Sequence, residues 1–270
     1  MKNDLLANRH IGICPADEEQ MLRQIGVGSL DELIDKTIPA NIRLQKPLDL
    51  PEAMTEYQFT QHIAALAAKN KLFTSYIGQG WYGTITPAVI QRNVFENPVW
   101  YTSYTPYQTE VSQGRLEALM NFQTAVTDLT GMPLANCSLL DEATAAAEAV
   151  NMMHALRTRD QQKSGAATVL VDKHIFAPTL AVMQTRAVPQ GIHLDVGCWR
   201  DFEFTPDVFA IVLQYPNANG QAEDYRELVE KAHAAGVKVA VDADILSLAL
   251  LTPPGEWGAD IVFGSTQRLG

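Results

Sequence analysis

From residue 168 onward the chain repeats one pattern, short continuous apolar runs separated by segments with helical spacing. The runs are Val169-Leu170-Val171, Ala210-Ile211-Val212-Leu213, Val237 to Val241 and Ile261-Val262-Phe263, with His193 to Val196 as a further strand. A strand that is apolar at every position has no side left for water, so such runs belong to a sheet covered on both faces. Helices between them make that sheet mostly parallel. The intervening helices are predicted over 142–157, around Leu180 to Met183, and over 224–235, the last stopped by Gly236. The fold class is therefore α/β. In open parallel sheets ligands gather at the carboxyl ends of the strands. Here those ends carry Asp172-Lys173-His174, Tyr215-Pro216-Asn217, Asp242-Ala243-Asp244 and Gly264-Ser265-Thr266-Gln267.

The first part of the chain is different. Residues 1–70 read as a small helical region with an extended arm, and residues 71–270 as the large domain. Asp17 is expected to cap a helix through Met21, Leu22 and Ile25 to Gly26, Ser29 one over Leu30, Leu33 and Ile34, and Thr55 one through Phe59, Ile63 and Leu66. Between them Pro39 to Pro51 is punctuated by prolines, which favour extended backbone before them and suit an arm laid along a neighbouring surface. A hydrophobic fraction of 47% excludes a disordered chain, and a net charge of −11 argues against nucleic acid as a partner. Cys14, Cys137 and Cys198 lack C-x-x-C or Cys/His ligand spacing, so neither zinc nor another metal is implied. No apolar run is long enough to span a membrane, and the first residues show neither a signal nor a transit pattern, which places the protein in the cytoplasm.

Between arm and sheet lie the polar and aromatic stretches that speak of chemistry. Tyr76 to Thr84 holds three glycines. Without a strand-turn-helix context it reads as a close-packed turn rather than a phosphate loop. After a short helix from Pro87 to Phe95 come Tyr101, Tyr104 and Tyr107, three apart and broken by Pro106, which fixes φ. Phenols beside Gln108 and Glu110 can orient a carboxylate or donate protons; the same turn could equally pack at a subunit interface. A helix from Ser112 to Gly131 with Leu116, Leu119, Met120, Val126 and Leu129 at 3–4 spacing is expected to pack on a core, with Arg115 and Glu117 on its solvated side.

Asp141 or Ser138 caps the next helix, whose first amides, near Thr144, are then free to hold an anion. Asp242 either pairs with a protonated ring nitrogen of a cofactor or serves as a turn residue. His174 either contacts a ligand or caps. An anion-holding helix end with a strand-end Asp suggests pyridoxal phosphate, whose aldehyde must be held by a lysine. No lysine follows Lys238, however, and the last strand exit reads Ser265-Thr266-Gln267-Arg268. Lys173 and Lys238 are better explained as surface residues.

Several strings are long enough to be specific: Arg9-His10-Ile11-Gly12, Thr74 to Gly78, Tyr104-Thr105-Pro106-Tyr107-Gln108, Glu110 to Leu119, Ser138 to Ala149, and Gly258 to Ser265. In these the chain resembles the P-protein family of the glycine cleavage system, the glycine dehydrogenases (decarboxylating), in its N-terminal half or the α-type subunit of split forms.

The resemblance implies an aspartate-aminotransferase-like (PLP fold type I) large domain, here truncated at its C-terminal side. It also implies two related halves, of which only the other carries the Schiff-base lysine. Gln267 falls at that lysine's position, so no residue of this chain is expected to be catalytic in that sense. By the same resemblance Tyr104, Pro106, Tyr107 and Gln108 face the substrate pocket of the lysine-bearing half, while Thr144, His174 and Asp242 are relics of a duplicated cofactor site. The implied cofactor is pyridoxal phosphate, held by the lysine-bearing C-terminal half or β-type subunit. The implied partners are that half, glycine and the lipoyl H-protein, in a dimer or higher association. The alternative is a structural half that only stabilises the catalytic one and receives H-protein. An independent pyridoxal enzyme using Lys173 or Lys238 is the remaining reading.

Overall fold

The computed structural model describes residues 5–10, 12–78, 83–101 and 106–269. The chain divides into two compact units, Met1–Thr74 and Ser75–Gly270.

The first unit is helical: α1 (Ala7–His10), α2 (Pro15–Ile25), α3 (Leu30–Thr37) and α4 (Glu56–Ala67). Its helix ends follow from capping chemistry. Ser29 Oγ accepts the Glu32 amide at 3.1 Å, and Thr55 and Gln58 form a reciprocal capping box. Asp17 does not cap α2 as expected. The helix starts earlier, with Pro15 in its first turn, where a missing N–H costs nothing, and Asp17 accepts from the Cys14 thiol instead. None of α2, α3 and α4 buries a residue, and Ile42, Leu44, Leu48 and Leu50 of the arm are about 70% exposed.

The second unit holds α5 (Ala88–Ile90), which runs into a π-type turn at Gln91–Phe95, then α6 (Gln113–Thr130), α7 (Glu142–Ala155), α8 (Arg159–Ser164), β1 (Thr168–Asp172), α9 (Ala177–Ala187), β2 (His193–Gly197), β3 (Val208–Tyr215), α10 (Arg226–Ala234), β4 (Lys238–Ala243) and β5 (Ile261–Phe263). The strands form one sheet in the order β2-β1-β3-β4-β5, with every pairing parallel. Side chains alternate across it, as the strand period of two requires. Val169, Val171, Ala210, Val212 and Ala240 face α7 and α9, where Ala146, Val150, Met153 and Met183 meet them. Leu170, Ile211, Leu213, Val239 and Val241 face the opposite side, against Tyr225, Leu228, Val229 and Ala232 of the α10 layer. All eight residues of β3 are buried. Each large aliphatic side chain so covered stabilises the fold by about 1.5–3 kcal/mol, which is why this sheet is the organising core.

Helix α6 departs from expectation. It was expected to pack on a core, yet only Thr130 of its residues is buried and Met120 is 68% exposed. Its apolar spacing marks a stripe that the described residues of this chain leave mostly unburied. Its end is tightly fixed nonetheless. Gly131 takes a left-handed φ of 70°, and a Cβ on Gly255 would lie 2.2 Å from the Gly131 carbonyl oxygen, so two glycines let these backbones touch.

Candidate functional site

Because every strand runs the same way, the four polar strand exits lie at one end of the sheet. The sheet's alternation then sorts them. Asp242 follows Ala240 at a spacing of two, so it points to the α7 side. Asp172 follows Leu170 in the same way and points to the α10 side. The two buried aspartates, 1% and 0% exposed, therefore serve different layers.

On the α10 side, Asp172 Oδ1 accepts weakly from the His174 amide at 3.4 Å and lies 3.7 Å from His174 Nδ1, while its Oδ2 is buried with no hydrogen-bond partner. Burial pushes this carboxyl up from its ordinary range. Tyr225 lies beneath, donating its hydroxyl to the Gln214 carbonyl at 3.1 Å and meeting Trp199 edge-on. Burial raises this phenol well above its usual range as well, so it stays a donor. The described partner of His174 is thus Asp172, and the structure does not bring it to Asp242.

On the α7 side, the helix starts at Asp141, whose Oδ1 accepts the Thr144 amide at 2.7 Å. This settles the capping residue in favour of Asp141 over Ser138. It also changes the reading of the helix end, since the amide expected to be free for an anion is taken by a carboxylate of the chain itself. The next side chain, Glu142, turns in toward the sheet. Its carboxyl is within hydrogen-bonding reach of the Asp242 carboxyl and the Ser265 backbone amide. Burial raises Glu142 above its ordinary range, with the nearby Asp244 and Asp141 charges adding to it. Burial, then the Glu142 charge, raises Asp242 strongly. Gln214, aligned with Asp242 across β3 and β4, donates to the Asp242 carbonyl at 3.4 Å.

The nearness of Ser265 has a local cause. Gly264 leaves β5 pressed against β4, and a Cβ there would sit 2.2 Å from the Ala243 carbonyl oxygen. Only glycine lets β5 turn at that point. Beyond it Arg268 pairs with Asp244 at 3.0 Å, and Gln267 opens a short 3-10 turn. A groove of about 600 Å³ opens beside this crest, lined by Val126, Leu140, Glu142, Ala145, Ile261 and Ser265 among others.

These positions test how the residues suit an anionic cofactor. A phosphate needs free amides and a cationic ring needs a free carboxylate, whereas the Thr144 amide is capped and Asp242 faces another acid. The α7 crest does not fit pyridoxal phosphate.

The tyrosine loop is the second site. Tyr104 lies outside the described residues. Pro106 is half-buried, Gln108 exposed and Tyr107 86% exposed. The stretch from Gln108 closes in a turn, with the Ser112 amide donating to the carbonyls of Gln108 and Thr109 at 3.1 and 3.2 Å. Ser112 occupies the cap position of α6 without a capping side-chain bond. Arg115, expected on a solvated face, is instead a clasp. Its guanidinium donates to the carbonyls of Val99 and Trp100 at 3.2 and 3.4 Å and lies 6.0 Å from the Trp100 ring. The spacing from 99 to 115 gave no sign of this, because such contacts depend on where a loop turns back.

The sequence profile of the family described as "Glycine cleavage system P-protein" matches residues 8–270. Glycine dehydrogenase (decarboxylating) of Bacteroides fragilis is 78% identical over 270 residues, covering all of this chain and 28% of that protein. The namesake from Flavobacterium johnsoniae is 55% identical with the same coverage. A crystal structure of glycine decarboxylase (P-protein) of the glycine cleavage system, in inhibitor-bound form, is similar at a TM-score of 0.81 and 35% identity, over 96% of this chain and 58% of that one. The expected α/β fold with a parallel sheet is thereby supported, and the chain spans little more than a quarter of the curated relatives' length. Matched along nearly its whole length, this chain belongs to the glycine cleavage system P-protein family and corresponds to an N-terminal portion of it.

Proposed function

We propose that this chain supplies a pocket wall and an interface to a glycine-decarboxylating active site whose cofactor-bearing lysine lies in another part of the protein. The observation that carries this is Tyr107, which stands directly before a turn closed at Ser112 and is still 86% exposed. A loop built to pack on its own domain would bury that ring. A phenol held outward directly before a hydrogen-bonded turn is positioned to meet something else.

Pyridoxal phosphate, bound in the lysine-bearing half, supplies the electron sink through which glycine loses its carboxylate as carbon dioxide. Gln267, at the end where that lysine would be expected, has an amide that cannot make the same bond. The contribution of this chain is orientation. The Tyr107 phenol and Gln108 amide donate hydrogen bonds toward the glycine carboxylate, and Pro106 fixes φ at the residue just before them. The two other expected relic positions, Thr144 and His174, are committed to Asp141 and Asp172 within the chain. In the complete protein the aminomethyl carbon would bond to one lipoyl sulfur of an H-protein as the S–S bond breaks, leaving the other sulfur as a thiol.

Mixing this chain with the remaining portion of a close relative and measuring glycine–bicarbonate carbon exchange tests the reading. Tyr107→Phe is expected to lower exchange at least tenfold, about 1.4 kcal/mol, while the portions still associate. If association and exchange fall together, the loop is an interface element, and the structural reading of this half replaces the present one.

A further inference from the structure

Asp242 is the most isolated acid among the described residues of the sheet crest. It is 1% exposed, and neither carboxylate oxygen has a partner among groups that carry a proton in the ordinary ionised state. A bare carboxylate in that position would be costly, since buried charges persist only when paired. What faces it is another acid, Glu142, carried there by the first turn of α7. Two carboxyls in contact are compatible only if one carries a proton, and the O–H then donates to the other, satisfying an oxygen that otherwise has no partner.

The groups around the pair favour this state. Asp141 and Asp244 add negative charge nearby, and the Asp244 charge is itself balanced by Arg268 at 3.0 Å. The Gln214 amide is spent on the Asp242 backbone carbonyl, and the Ser265 backbone N–H after β5 favours the ionised form of Glu142, which leaves the proton on Asp242. Among these described neighbours no cation reaches Asp242 itself.

We infer that Glu142 is a built-in occupant of this crest: its carboxylate accepts the acid proton of Asp242, and together with the Asp141 cap it denies the site to an anionic ligand with a cationic ring. A phosphorylated pyridine ligand would require the Thr144 amide for its phosphate and Asp242 for its ring nitrogen. Asp141 holds the first and Glu142 the second. This rests on the proposed division of labour between the two halves, in which the cofactor sits elsewhere, and it assigns the device that keeps it there.

The probe is pyridoxamine 5′-phosphate, which lacks the aldehyde that would label surface lysines. The wild-type chain is expected to show no saturable binding by fluorescence titration. The double variant Asp141→Ser/Glu142→Ala keeps a capping hydroxyl, frees the amide's surroundings of charge and bares Asp242, so it is expected to bind at least about tenfold more tightly. Saturable wild-type binding that Asp242→Asn abolishes would overturn the inference.

A second measurement stands if the double variant fails to fold. Infrared spectra of the wild-type chain near neutral pH are expected to show a protonated-carboxyl band that Glu142→Gln, which preserves size and can still donate to Asp242, removes. A wild-type spectrum without that band overturns the inference as well. Neither readout involves glycine turnover, so either can fail while the pocket-wall reading stands.

Discussion

A Cβ at Gly264 would lie 2.2 Å from the carbonyl oxygen of Ala243, so the turn out of β5 exists only because residue 264 has no side chain. This contact joins the last two strand exits and sets the Ser265 amide beside Glu142. Gly264→Ala cannot be absorbed by a side-chain shift, since the obstacle is backbone. It is expected to destabilise the second unit by about 1–3 kcal/mol, read as a lowered urea midpoint. Gly114→Ala is the control. A Cβ there meets nothing within 4 Å in the first turn of α6, so the change is expected to be neutral or to stabilise by about 0.5–1 kcal/mol.

The acid pair gives stability an unusual pH dependence. Glu142 and Asp242 are both raised above the ordinary carboxyl range, chiefly by burial, so the folded chain retains protons that the unfolded chain releases. Their contribution is complete below the unfolded carboxyl range, about pH 4, and is lost as pH rises through the folded values. Glu142→Gln removes that titration. The difference in urea midpoint, variant minus wild type, is expected to grow in the variant's favour from about pH 4.5 toward neutrality, reaching on the order of 1 kcal/mol. A difference that is flat with pH, or that grows toward acid, would show that the two carboxyls are not linked.

The exposed apolar residues yield a third expectation. Leu72 and Phe73 in the first unit, and Ile85, Leu140 and Leu250 in the second, are each more than 80% exposed. Single exposed apolar residues are common, but this number of large ones in one chain implies surfaces that another polypeptide covers. The chain alone is expected to bind a hydrophobic dye and to self-associate with concentration, and both effects should fall when the remaining portion of a relative is added. A monomer that binds no dye at high concentration would count against covered surfaces.

How far the sequence reached depends on how local each cause is. The five strands, the Ser29 and Thr55 caps and the Gly131 stop were legible, and Asp141 as one of two candidate caps, because each rests on residues within a few positions of one another. Glu142 was not. A glutamate in the first turn of a helix ordinarily favours the dipole and stays in water, and only the register that brings Asp242 beneath it reveals another role. Arg115 was misread for the same reason, its partners being fifteen and sixteen residues away. For α6 the apolar spacing was read correctly as a stripe, but spacing says nothing about which surface covers it.

That clasp leads to the last prediction. Arg115 ties the Val99 and Trp100 carbonyls to the first turn of α6, while the Ser112 amide closes the chain onto Gln108 and Thr109 from the other side. Among the described residues, Trp100 before Tyr107 and the turn after it are both fastened to the start of α6. Bonds of 3.2 and 3.4 Å from a half-exposed guanidinium belong at the weak end, about 0.5 kcal/mol each, so Arg115→Met should lower stability by no more than about 1 kcal/mol. Its effect should appear where geometry matters. In the reconstituted exchange assay the variant is expected to lose about tenfold in rate, because a loop freed on one flank holds its phenol near the productive orientation for less of the time. Arg115→Lys should recover only part of this, since a compact ammonium on a flexible stem replaces the planar guanidinium that lies beside the Trp100 ring. If Arg115→Met exchanges carbon at the wild-type rate, the clasp is a folding contact alone, and Tyr107 is positioned by something other than the loop's own fastening.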